Sequence, residues 1–136
     1  MVVQDNVRVA DQWHLEMVQD GKLELAADVL SSDVVIHVGA HEFRGHDGAT
    51  GLAHALKVAL PDMQITHHEA LSSRDQVSIR WSATATHGGE YFGIPASNKR
   101  VSFEGIDWFH FQQGKIAEMW IEYDNLGVTQ QMQESS

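Results

Sequence analysis

The sequence predicts an α+β domain in which helices come first and an antiparallel meander follows. Two observations carry this. Up to Pro61 the apolar residues recur mainly at three- and four-residue spacing, and beyond it they alternate. The last two strand segments also flank Gln112-Gln113-Gly114, a hairpin signal with a glycine available for positive φ. With 136 residues, 43% of them apolar, the chain suits one domain spanning 1–136 around one core.

Residues 5–20 read as a first helix, with Val7, Ala10, Trp13 and Met17 on one face and Gly21 as its stop. A second helix is expected from Leu23 to Leu30, broken by Ser31-Ser32-Asp33. The β-branched run Val34–Val38 predicts a short strand. A polar, glycine-rich loop from Gly39 leads into a third helix over 48–60, ended by Pro61. Met63–Leu71 is a weak strand. Val77, Ile79, Trp81, Ala83 and Ala85 alternate strictly with polar residues and give the clearest strand in the chain. His87-Gly88-Gly89 reads as a turn. Val101–Phe111 and Lys115–Tyr123 form the hairpin, and the tail after Gly127 is expected to fray.

Composition removes several function classes. The sequence has no cysteine, so disulfides and thiolate chemistry are excluded. A formal net charge of −10 with scattered basic residues opposes nucleic-acid and anionic-membrane binding. No apolar run reaches membrane-spanning length and no leader pattern opens the chain, which predicts a cytoplasmic protein. His37, His41 and His46 with Glu42, and the pair His67-His68, raise the question of zinc. Their spacing fits no helical ligand motif, so they read as solvated histidines and no metal is expected.

The stretch from Phe92 to Asp124 is expected to wall a pocket. Ile106 and Trp108 share one face of their strand, and Phe103, Phe109 and Phe111 the other. Antiparallel strands apolar on both sides need cover on both. A second subunit is the simplest outer cover, which predicts a homodimer or homotetramer, unless a bulge near Gly105 swaps the faces. Trp108 and His110 share a face, as do Trp120, Glu122 and Asp124. A carboxylate among tryptophans would be desolvated toward a pKa useful for proton transfer, with an imidazole beside it. Equally, Asp124 would cap the turn at Asn125-Leu126-Gly127 and His110 would be a satisfied core histidine.

Several segments shift that balance. Tyr91-Phe92-Gly93-Ile94-Pro95, Lys99 to Asp107, Gln113-Gly114-Lys115-Ile116-Ala117-Glu118-Met119-Trp120 and then Asp124 occur in an order that resembles the SnoaL-like polyketide cyclases, a branch of the NTF2-like superfamily. The resemblance implies an NTF2-like cone, three N-terminal helices packed on a curved, mainly antiparallel sheet. It implies cofactor-free acid/base chemistry on a small hydrophobic carbonyl compound, an intramolecular aldol ring closure. It further implies Asp124 as the acid/base and His110 as its assistant. His37 stands where family members often have a substrate-contacting amide. Trp108, Trp120, Phe92, Tyr91 and Trp13 are expected to contact a flat aromatic ligand. Two alternatives stay open: a non-enzymatic binding or accessory protein, and an isomerase, dehydratase or hydrolase of the same superfamily.

Overall fold

The computed structural model describes residues 3–134. Helix α1 (Val3–Asp11) continues without a break as a π-helix (Gln12–Gln19). A short 3₁₀ turn (Leu23–Leu25) and a single turn of α2 (Ala26–Val29) lead into strand β1 (Leu30–Val38). Strand β2 (His41–Arg44), helix α3 (Gly45–Ala59), strands β3 (Gln64–Ser73), β4 (Gln76–Thr86), β5 (Arg100–Gln112) and β6 (Lys115–Tyr123), and helix α4 (Asn125–Gln133) complete the order. The α+β class is as the sequence predicts, with four helices rather than three among the described residues.

The six strands lie in the order β2-β1-β6-β5-β4-β3. Every neighbouring pair is antiparallel except β1–β6, which is parallel. The β5–β6 hairpin closes through Gln113 (φ 52) and Gly114 (φ 79), the left-handed pair a two-residue turn requires. On β5 the inward row is Val101, Phe103, Gly105, Asp107, Phe109 and Phe111. The β4–β5 register runs unbroken from Gln76↔His110 to Thr86↔Arg100, so no bulge at Gly105 exchanges the faces. The irregularity lies further on, where His110 pairs with Glu118 but Phe111 with Ile116.

One face of the sheet carries the core. Trp13 and Met17 from the π-helix, Leu52 and Ala53 from α3, and Val77, Ile79, Phe109, Ile116 and Met119 from the strands are fully buried together. Each large side chain contributes roughly 1.5–3 kcal/mol. Two expectations are corrected. Leu30 leaves the second helix for β1, because its inward position beside Ile116 buries it completely. The segment after Gly127 is helical through Gln133, since Val128 and Met132 are buried and Gln131 bonds both backbone groups of Ser102. None of the described helices is long and apolar enough to cross a membrane.

Candidate functional site

The inner face of the sheet holds one carboxylate, Asp107 on β5, at 1% exposure. Strand alternation puts it in the row of Phe103 and Phe109, directed at the core. Burying an unpaired charge costs several kcal/mol, so its two oxygens need donors. Trp81 Nε1 donates to Oδ1 at 3.0 Å, and His14 Nε2 lies 2.6 Å from Oδ2.

Two local features deliver these donors. The π-helix carries Trp13, His14, Met17 and Val18 together on its buried side. On β5, Gly105 leaves the space that the Trp81 indole fills. A Cβ at Gly105 would stand 2.5 Å from Trp81 Cζ2 and 2.7 Å from the Glu122 carbonyl oxygen.

His14 extends the network outward. Its Nδ1 lies 2.8 Å from His67 Nε2, and His67 Nδ1 lies 3.1 Å from Asp11 Oδ1 at the surface. Phe109 and Trp81 meet the His14 ring edge-on and keep it in place.

Asp107 and His14 line a small, largely apolar chamber of about 50 Å³ with Trp13, Trp81, Phe103 and Tyr123. Tyr91 and Tyr123 lie between this chamber and an open groove of about 670 Å³ walled by Phe43, Phe92, Ile94 and Ile121. Their hydroxyls touch each other, and Tyr91 also donates to Asn125 Oδ1 at 2.7 Å. Burial, then the neighbouring Tyr123, pushes the Tyr91 hydroxyl far above the ordinary phenol range. Burial, and secondarily the Asp107 charge against the opposing Tyr91 bond, raises Tyr123. Both therefore stay protonated and act as donors. The groove is ligand-sized whereas the chamber is not, and the two tyrosines line both.

The loop carrying Tyr91 is held by buried His87. Its Nδ1 accepts from Ser97 N, so Nε2 is the protonated nitrogen facing the Ile94 carbonyl. Tyr91 and Ile94 exchange both backbone bonds across Phe92-Gly93, and Phe92 sits at φ 42, a left-handed position costly for a bulky residue. The Phe92 ring is exposed and forms part of the groove wall.

The sequence-predicted residues separate into three places. Tyr91 and Trp13 line the chamber, and Phe92 the groove. His110, Trp108, Trp120 and His37 lie on the opposite, outer face. There His37 stacks on Trp120 at 5.1 Å and meets Glu118 at 2.6 Å, and the His110 ring meets Trp120 edge-on. Asp124 lies beyond the end of β6, where it caps α4 by accepting from Gly127 N at 2.9 Å. The expected shared cavity for Asp124 and His110 is therefore corrected. Asp124 N bonds Glu104 O, six β5 positions from His110, roughly 20 Å along the strand. Of the histidines weighed for metal, His46 faces the Leu30 carbonyl at 2.9 Å, His68 faces Ser82 at 2.7 Å and His41 is exposed.

Sequence reasoning passed over Asp107, His14 and Tyr123, and weighed Trp81 only as an aromatic able to stack on a flat ligand. For Asp107 the signal was present: an acidic residue at the same parity as Phe103 and Phe109 is buried if they are. His14 also falls on the helical face of Val7, Ala10, Trp13 and Met17, so its burial was legible, whereas its pairing with Asp107, far along the chain, was not.

A curved six-stranded sheet covered on one face by helices, with a largely apolar chamber between them, defines an NTF2-like α+β domain. Residues 8–132 match the SnoaL-like polyketide cyclase family, and the chain belongs to that family. Its fold is similar to that of a candidate SnoaL-like polyketide cyclase from Jannaschia sp. CCS1 (TM-score 0.91, 17% identity, 99% of this chain and 96% of that one). It is also similar to a candidate polyketide cyclase from Bacillus cereus ATCC 10987 (0.77, 27%, 94% and 80%). An NTF2-like protein from Burkholderia xenovorans LB400 shares the fold as well (0.77, 15%, 97% and 98%). Among curated proteins no relative matches the chain.

Proposed function

We propose that this protein is an acid/base enzyme that closes a ring in a small, largely apolar carbonyl compound, with Asp107 and His14 moving the proton. The observation that carries this reading is a buried carboxylate, fixed by Trp81 and His14, on the wall of an otherwise apolar chamber. Such a carboxylate is already oriented, by its bonds to Trp81 and His14, to take a proton from a substrate in the chamber.

Asp107 takes the proton from a carbon next to a carbonyl, leaving the C–H electron pair in an enolate. The enolate carbon bonds to a second carbonyl carbon of the same molecule, whose π electrons move to oxygen. The resulting alkoxide recovers the proton from Asp107, directly or through His14, so atoms and charge balance. Tyr91 and Tyr123, held protonated, supply hydrogen bonds to the oxyanion. Phe92, Trp13 and Trp81 supply flat apolar walls that hold the substrate folded.

Deuterium uptake from D₂O at the activated carbon of an aromatic β-keto ester tests the first step without the native substrate. Asp107→Asn is expected to lower the exchange rate about 10²–10⁴-fold. Asp124→Ala is expected to leave it unchanged and cost only about 0.5–2 kcal/mol of stability as a lost cap. Equal rates for Asp107→Asn and wild type would sink the assignment.

The outer face supports a second proposal, a homodimer that buries it. Trp108 is 48% and Ile106 51% exposed, side by side with Trp120, His37 and His110. A face presenting both imidazoles and the carboxylates of Glu118 and Glu122 around an aromatic centre is self-complementary under a two-fold axis. Sedimentation equilibrium is expected to give twice the chain mass for wild type and a monomer for Trp108→Glu. A wild-type monomer at tens of micromolar would end this proposal.

A further inference from the structure

We infer that the open groove seats the flat body of a neutral aromatic ketone, and that Asn125 is the donor that fixes its carbonyl oxygen. The inference deepens the reading of Asp107 as the acid/base and rests on it for the chemistry: the chamber takes the reacting end of the molecule and the groove the rest.

Size separates the two compartments. An apolar cavity that takes up benzene measures roughly 150 Å³. The chamber beside Asp107, at about 50 Å³, is too small for a ring. The groove, at about 670 Å³, lies in the range of sites for drug-sized ligands. Tyr91, Ile121 and Tyr123 line both, so the compartments meet at these side chains.

The proton inventory of the tyrosine pair orients Asn125. Both phenols stay protonated, so two protons need acceptors in largely apolar surroundings. Three oxygens meet there. The two hydroxyls touch each other, and Asn125 Oδ1 lies 2.7 Å from that of Tyr91 and 3.3 Å from that of Tyr123. In the ligand-free protein one phenol donates to the other and the second proton goes to Oδ1. With the amide reversed, Nδ2 would donate into the pair and one phenol proton would have no acceptor. The amide nitrogen therefore points away from the tyrosines. Asn125 is exposed and lines the groove, and among the described residues neither of its N–H groups has a partner.

An exposed amide by itself would only be hydrated, but Phe92 independently marks the same groove as a binding surface. Its backbone is left-handed, at φ 42, and its ring is 54% exposed. Both features are costly, and strain of this kind persists where function requires it. The ring meets Tyr91 edge-on at 4.8 Å and leaves its remaining surface to the groove, where a flat ligand would cover it. Charge then narrows the ligand. Besides the tyrosines, the titratable groups lining the groove are Glu122 and His41, with no Lys or Arg. A carboxylate ligand would meet Glu122 in a chain of net charge −10, whereas a neutral carbonyl suits two N–H donors.

Side-chain amide NMR of the full chain tests this with methyl naphthyl ketone, and with ethylnaphthalene as its oxygen-free match. The expected result for wild type is saturable ketone binding that moves the Asn125 Nδ2 signals downfield, while ethylnaphthalene leaves them nearly in place. Asn125→Asp keeps an acceptor for the tyrosines and removes the donor. The ratio of ketone to hydrocarbon affinity is expected to fall about tenfold in that variant. Phe92→Asn, a residue type that tolerates the left-handed conformation, is expected to weaken both probes about tenfold. Naphthoate is expected to bind more weakly than the ketone. Unmoved Asn125 signals at the highest soluble ketone concentration, an unchanged affinity ratio in Asn125→Asp, unchanged affinities in Phe92→Asn, or naphthoate binding more tightly than the ketone would each overturn the assignment. Because binding needs no proton transfer, its failure leaves the Asp107 exchange test standing, and unchanged exchange in Asp107→Asn leaves the groove's preference intact.

Discussion

Replacing Asp107 with alanine is expected to destabilise the domain by about 3–5 kcal/mol. The side chain is buried and accepts from Trp81 Nε1 while pairing with His14 Nε2, so its removal orphans two N–H groups in an apolar chamber. Each orphan costs roughly 1–3 kcal/mol. The void left behind adds to this, because Trp13, Phe103 and Tyr123 are anchored elsewhere and collapse only partly. Urea unfolding followed by circular dichroism measures the loss. Asp107→Asn keeps the shape and an acceptor for Trp81, and is expected to lose much less. The contrast separates the carboxylate's structural part from its chemical one. A loss below about 1 kcal/mol for the alanine variant would mean that the pair carries little of the folding energy.

Gly105→Ala is the second large effect, and it acts through space rather than backbone freedom. Its added methyl meets the Trp81 ring on one side and the Glu122 carbonyl of β6 on the other. Main chain cannot yield easily there, so the indole must move and its bond to Asp107 lengthens. Overpacking of this kind costs about 1–3 kcal/mol. Near-ultraviolet circular dichroism should report the displaced tryptophan, and the melting temperature should fall. Gly51→Ala is the matched control. Gly51 lies in the interior of α3 with open space around its Cβ position, and alanine there is expected to add about 1 kcal/mol. Equal melting temperatures for Gly105→Ala and wild type would show that Trp81 has room to spare.

Both effects converge on residues that sequence reasoning set aside, and the reason is geometric. Alternation along Val101–Phe111 established two distinct faces, one with Phe103, Phe109 and Phe111 and one with Ile106 and Trp108. Both are aromatic. Nothing in the local pattern says which one meets the helices, and attention went to the outer row, where Trp108, His110 and Trp120 cluster. Tyr91, Phe92 and Trp13, named from the sequence as aromatics able to stack on a flat ligand, lie along the chamber and the groove. Asp124 illustrates the opposite outcome: the turn-capping role read from Asn125-Leu126-Gly127 is the one its contacts display.

By itself the sequence determined the α+β class, the β5–β6 hairpin, the limits of β6, and the resemblance that the family match supports. These rest on interactions between near neighbours along the chain, which periodicity and turn chemistry record. Only the tertiary structure decided which face of β5 is inside, and so which carboxylate is buried. That choice depends on contacts between residues as far apart as His14 and Asp107. Side-chain alternation distinguishes the two sides of a strand. Which side becomes the interior is set by what packs against it.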